Sequence, residues 1–275
     1  MFKKRIIAII GIFILVITSL VSCFSSRKTT GENIVSISGS TSVGPIMERE
    51  AEAFKTKMPD VSVEINQIGS SAGIKNAMDG VSEIGMASRD LKGQEKQVGL
   101  KEVEIAYDGI ALIVNKDNPV KDLTMEQIKD IYTGKITNWK EVGGYDSPVV
   151  VVSREDGSGT RDAFQGIVGF KPEGLTKDSQ ISDGSGNIKS LVERNKNTIG
   201  YISFSYVDDS VNVLKVDGVK PNADNVQKKD YKLARPFLLV YKEDVITKSG
   251  RDLIDFILSE EGQDIVAKDN LIKVK

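Results

Sequence analysis

From Ile34 to the end of the chain, short β-branched runs alternate with segments of helical period, and this alternation restricts the fold more than any other feature. Strand and helix in repetition imply a mostly parallel sheet with helices packed on its faces, an α/β architecture. Extended runs are predicted at 33–38, 61–68, 83–88, 110–115, 148–153, 198–203 and 237–242. Helices are predicted at 45–57, 74–79, 124–133, 161–168, 188–194, 248–259 and 259–268. Pro45 behind small polar residues is a strong start signal, whereas Ser259 has Gly262 and not Glu three residues on.

Three strand-to-helix junctions share one chemistry: "SGSTSVGP" (38–45), "GSSAG" (69–73) and "GSGT" (157–160). Each sets glycines and hydroxyls where a helix begins, and the free N–H groups there, backed by the helix dipole, attract anions. Taken singly, each is equally an ordinary helix cap. The third follows the run "VVVVSRED", which delivers Arg154 beside the turn, where a guanidinium can clamp a tetrahedral oxyanion through two donors. Asp156 either pairs with Arg154 and fixes its fork or is a solvated turn residue.

Other chemistries are excluded by composition and spacing. The chain has no His and a single Cys, which removes a Ser-His-Asp triad and a His- or thiolate-based zinc site. "GSSAGIK" lacks the P-loop spacing, and neither Ser158 nor Ser185 has the glycine a nucleophile elbow requires. No catalytic residue, cofactor or metal is expected. The formal net charge is −2, and it falls to −5 without the three basic residues of the N-terminus, a poor balance for binding nucleic acid.

That N-terminus places Lys3, Lys4 and Arg5 before an apolar run ending in "LVSC". The run is short for a bilayer span, so residues 1–22 read as an export signal, with an uncleaved anchor as the alternative. "LVSC" resembles the lipobox of bacterial lipoproteins, which makes Cys23 the lipidated residue and palmitate the expected modification. Residues 23–33 form a polar tether.

In order along the chain, "SGSTSVGP", "QIGSSAGIK", "GMASRDL", "YDGIALIVNKDNPV", "IYTGKITNW", "REDGSGTRDAF" and "IGYISFSYV" resemble the phosphate-binding subunit of the bacterial phosphate ABC importer. The resemblance implies a two-lobed type II periplasmic-binding-protein fold with a two-strand hinge. Lobe one would hold residues 34–109 and 210–275, and lobe two residues 110–209, with crossings near Tyr107 to Ile110 and near Asp208 to Val211. Phosphate would sit between the lobes. Carried over, Ser40, Thr41 and Ser42 match the first-turn ligands, Ser70 the second-turn serine, Arg154 the clamp, and Ser158, Gly159 and Thr160 the helix-start donors. Asp156 matches the acidic partner of the arginine.

One position departs from the pattern. After Ser88, familiar members place an aspartate that accepts the phosphate proton, whereas this chain has Arg89 and then Asp90. Arg89 is either a second cation on the anion or a solvated residue capping the strand end. The acceptor role then falls to Asp90, Asp156 or Asp162, with Asp156 the first choice, and a strong preference for phosphate over sulfate is expected. The resemblance implies an extracytoplasmic, lipid-anchored, monomeric receptor that is not an enzyme and delivers phosphate to an ABC permease and its ATPase. A receptor for sulfate or molybdate, or a surface adhesin, is the alternative.

Overall fold

The computed structural model describes residues 33–274. The chain begins with β1 (Ile34–Gly39), α1 (Gly44–Lys57), β2 (Ser62–Gln67), α2 (Ser70–Asp79), β3 (Ile84–Ala87) and α3 (Gly93–Lys96). The 14-residue β4 (Lys101–Val114) follows, then β5 (Asp122–Leu123), α4 (Met125–Tyr132), β6 (Val150–Arg154) and α5 (Gly159–Val168). Next come β7 (Gln180–Ser182), α6 (Gly184–Arg194), β8 (Thr198–Ser203), β9 (Asn212–Val213), β10 (Lys215–Val216) and α7 (Ala223–Gln227). β11 (Ala234–Tyr241), α8 (Lys248–Ile257) and α9 (Glu260–Lys268) close the chain.

The strands run in the order β2-β1-β3-β11-β4-β8-β6-β7, with β9 on β4 and a small separate β5–β10 pair. β1 is parallel to β2 and β3, and β6 is parallel to β7 and β8. Two antiparallel strands, β11 and β4, lie between these parallel sets. β4 serves both halves: Lys101 to Gly109 pair with β11, and Ile110 to Val114 pair with β8.

Apolar cores sit on either side of that switch, with a third, smaller cluster around Ile74, Leu238 and Val240 in the first lobe. Val35, Ile37, Met47, Phe54, Phe237 and Leu253 belong to one, and Ile113, Trp139, Phe164, Ile199 and Tyr201 to the other. This is the two-lobed fold that the family resemblance implies. The return crossing, however, does not fall near Asp208 to Val211. Val211, Leu214, Val226, Tyr231 and Leu233 all pack into the second core, and the chain first joins the first lobe's sheet at Ala234. The two crossings lie side by side, since Ile110 N–H donates to Leu233 O at 2.7 Å and Ala234 pairs with Gly109.

A buried ion pair braces the crossings. Arg235 Nη2 donates to Asp108 Oδ2 at 2.8 Å, and Asp108 Oδ1 accepts from Ser203 Oγ and Phe204 N–H at the end of β8. Burial lifts the Asp108 carboxyl to about 6 against the pull of Arg235 and these donors. Asp108 thereby ties the first crossing to the second lobe, and Arg235 ties the second crossing to Asp108.

Candidate anion-binding site

The first wall of the cleft comes from the turn after β1. Gly39 has φ of +143°, and a Cβ there would lie 2.2 Å from Met86 O, so only glycine lets β1 turn so close to β3. Ser40 then accepts from the N–H groups of Ser42 and Val43 at 3.2 and 3.4 Å, which organises the start of α1. Its hydroxyl donates to Ser88 Oγ at 2.9 Å. Ser70, first residue of α2, accepts from Ser88 N–H at 3.1 Å, and the two hydroxyls stand 3.4 Å apart. Ser40, Ser42, Ser70 and Ser88 are all buried.

The second wall is the end of β6 and the start of α5. Aromatic packing fixes its position: Phe164 of α5 stacks on Tyr201 with ring centroids 4.1 Å apart, and Tyr201 OH bonds Ser153 Oγ and the Arg154 N–H. Ser158 caps α5 by accepting from Arg161 N–H at 3.3 Å. Gly159 and Thr160 are buried in the first turn, where free N–H groups and the helix dipole favour negative charge.

The walls meet through polar groups. Arg154 Nη2 donates to Thr41 Oγ1 at 2.9 Å, Ser42 and Thr160 hydroxyls bond at 2.9 Å, and Ser71 N–H donates to Gly157 O at 3.1 Å. Tyr206 OH donates to Thr41 O at 3.0 Å. Gly159 is the point of closest approach. A Cβ there would stand 2.3 Å from Ser70 Oγ and 2.7 Å from Ser88 Oγ, so a side chain would hold the lobes apart.

Arg154 is 1% exposed. Its Nε and Nη2 donate to the two Glu155 oxygens at 2.8 and 2.7 Å, a fork-to-fork pair that locks the guanidinium plane. Its Nη1 is buried without a hydrogen-bond partner among the described residues. A buried guanidinium nitrogen left without an acceptor costs free energy, so a cleft with this atom and a ring of hydroxyls is built for an acceptor-bearing ligand.

Ser40, Thr41, Ser42, Ser70, Arg154, Ser158, Gly159 and Thr160 are therefore brought together. Two other expectations are corrected. Asp156 does not hold Arg154: its side chain is 97% exposed and accepts from Arg161 Nη1 at 2.6 Å. Glu155 takes that role, because its extra methylene lets a carboxylate one residue away reach back to the fork. Arg89 is not a cation of the anion cage either. Its Nη1 and Nη2 donate to Glu95 at 2.8 and 2.9 Å, and its Nε lies 3.0 Å from Asp162 Oδ2.

That pairing also occupies Asp162, while Asp90 is exposed, so none of the three carboxylates expected to accept the phosphate proton lines the hydroxyl cluster. Ser71, Ser88, Glu155 and Tyr206 were not identified as site residues from the sequence. Glu155 lies next to the chosen Asp156, and Ser88 and Tyr206 lie within the matching blocks. Only their side-chain directions were missing. Cys23 lies outside the described residues.

Comparison with known proteins gives one picture. Residues 25–261 match a family model described as the PBP superfamily domain. The chain is 34% identical to the phosphate-binding protein PstS of Bacillus subtilis (strain 168) over 256 residues, 90% of this chain and 82% of that protein. A crystal structure described as a putative phosphate ABC transporter substrate-binding protein with bound phosphate, from Clostridium perfringens, is 80% identical. It superimposes with a TM-score of 0.88 over 88% of this chain and all of its own. An ABC-type phosphate transport receptor from Vibrio cholerae is 37% identical, with a TM-score of 0.75 over 86% of this chain and 99% of its own.

Proposed function

The chain belongs to the PBP superfamily and, within it, to the PstS phosphate-binding proteins, and from that premise we propose how its cleft takes up inorganic phosphate. The protein is the substrate-binding component of a phosphate ABC importer and not an enzyme. It captures phosphate between its lobes for delivery to a permease. Arg154 Nη1, buried beside hydroxyls from both lobes and without a partner among the described residues, is the observation that carries the account of the grip.

In this account Ser40, Thr41, Ser42, Ser70 and Ser88 supply hydroxyls from lobe one. Arg154, Ser158, Thr160 and the Gly159 region at the start of α5 supply charge and donors from lobe two. Glu155 holds Arg154 in plane. An anion touching both walls binds the closed form more tightly than the open one and shifts the population toward it. Small-angle scattering tests this: phosphate is expected to shrink the radius of gyration, and an unchanged radius would place the ligand in one lobe alone.

The protein is proposed to act outside the cytoplasm as a monomer, held to the membrane by lipid on Cys23. Among the described residues no helix is long and apolar enough to cross a membrane. Cys23→Ala is expected to abolish incorporation of radiolabelled fatty acid, and retained label would refute the lipid attachment.

A further inference from the structure

The two lobes are also joined beside the anion cage by an ion cluster whose side chains make no hydrogen bond or ion pair with the proposed phosphate ligands. Asp162, in the first turn of α5 on lobe two, faces two cations of lobe one: Arg89 Nε at 3.0 Å and Lys92 Nζ at 2.7 Å. Arg89 is 5% exposed on its side chain and Asp162 24%, so water screens this pair less than an ordinary surface contact.

The lobe-one side of the cluster is built in advance. Glu95 accepts from Arg89 Nη1 and Nη2 and from the Lys92 N–H at 2.7 Å, and Arg89 also donates to Asp90 O and Ser71 Oγ. Burial raises the Glu95 carboxyl, but the Arg89 and Lys92 donors outweigh it and hold the group below its ordinary value. Glu95 is thus a fixed anion that keeps Arg89 oriented and neutralised whether or not Asp162 is near.

We propose that Asp162, Arg89 and Lys92 form an inter-lobe latch that favours the closed protein independently of the anion. The asymmetry of the cluster makes it reversible. When the lobes part, Arg89 keeps Glu95 and leaves no orphaned buried charge, and Asp162 passes into water. The penalty for breaking a buried pair is therefore avoided, and the latch biases the equilibrium without locking it. Its consequence is slower release: phosphate leaves only when the lobes open, and opening must also break the latch.

The inference rests on the two-lobe phosphate reading, but its test does not. The full chain carries one cysteine, so Cys23→Ser with Val81→Cys and Tyr145→Cys, both exposed and on different lobes, gives two unique spin-label sites. Pulsed dipolar spectroscopy in phosphate-free buffer reads the closed fraction directly. Asp162→Asn is expected to lower the closed-to-open ratio by about three- to tenfold, the range of a partly screened ion pair. Lys92→Met is expected to shift it less in the same direction, because Lys92 is largely exposed.

Asp156→Asn, in the turn just before α5 but bound only within lobe two, is expected to change nothing. An Asp162→Asn ratio equal to that of the parent protein, or an equal shift from Asp156→Asn, would overturn the latch. Adding phosphate afterwards tests the functional reading by itself, since no closure with phosphate would sink that reading and leave the phosphate-free comparison intact.

Discussion

Arg154 brings a full charge to the proposed cage, and it does so with one nitrogen that nothing among the described residues satisfies. Removing a charged donor from a dry site costs on the order of 2 to 5 kcal/mol, whereas a single neutral hydrogen bond is worth about 0.5 to 1.5 kcal/mol. Arg154→Ala is therefore expected to weaken phosphate binding far more than Ser158→Ala, as equilibrium dialysis of the two variants would measure. Gly159→Ala acts by shape. Its Cβ would stand 2.3 Å from Ser70 Oγ, so the lobes cannot close fully and affinity is expected to fall by at least an order of magnitude. Unaltered affinity would mean that the lobes close elsewhere. Asp156→Asn is expected to leave the preference for phosphate over sulfate unchanged, because this carboxylate lies in solvent on Arg161. At this scale the sequence identified residue types and their neighbourhood, but adjacent residues such as Glu155 and Asp156 differ only in where they point.

Among the elements, the buried parallel strands were legible because burial on both faces gives β-branched runs such as "VVVVS", and β8 occupies 198–203 as expected, whereas the short, largely exposed β7 was not expected. The long β4 was legible only in its second half. Its first half, "KEVEIAYDG", is partly exposed and charged, so it lacks the apolar run that marks a buried strand. Helices α2, α5 and α6 begin two to four residues earlier than expected, since residues of the small, polar turns already belong to the first helical turn. One helix carries a strained group: Glu50 on α1 is fully buried, and neither carboxyl oxygen has a hydrogen-bond partner among the described residues. Burial, with Glu261 nearby, lifts it to about 8 from 4.5. The folded protein therefore holds a proton that the unfolded chain releases, and stability falls as pH rises from the unfolded value toward about 8. Glu50→Gln is expected to remove that slope and to raise stability by on the order of 1 to 3 kcal/mol at alkaline pH, with little effect in acid. Urea unfolding across pH would measure it, and parallel curves for parent and variant would contradict it.

For the whole molecule, the two-lobed fold was legible from the order of the matching blocks, but the return crossing was not. Residues 211–233 carry short strands and a short helix with little periodicity, and only packing assigns Val211, Leu214 and Tyr231 to the second core. The hinge that results is stiffened by one buried pair. Asp108→Asn leaves Arg235 without its counter-charge, and a loss of about 3 to 5 kcal/mol in unfolding free energy is expected, measured by chemical denaturation. The central claim is that phosphate binds between the lobes, against Arg154 and both sets of hydroxyls. Isothermal titration of phosphate into the parent protein and into Arg154→Ala tests it most directly: the account predicts one site per chain in the parent and binding at least tenfold weaker in the variant, and equal affinities in the two would contradict it.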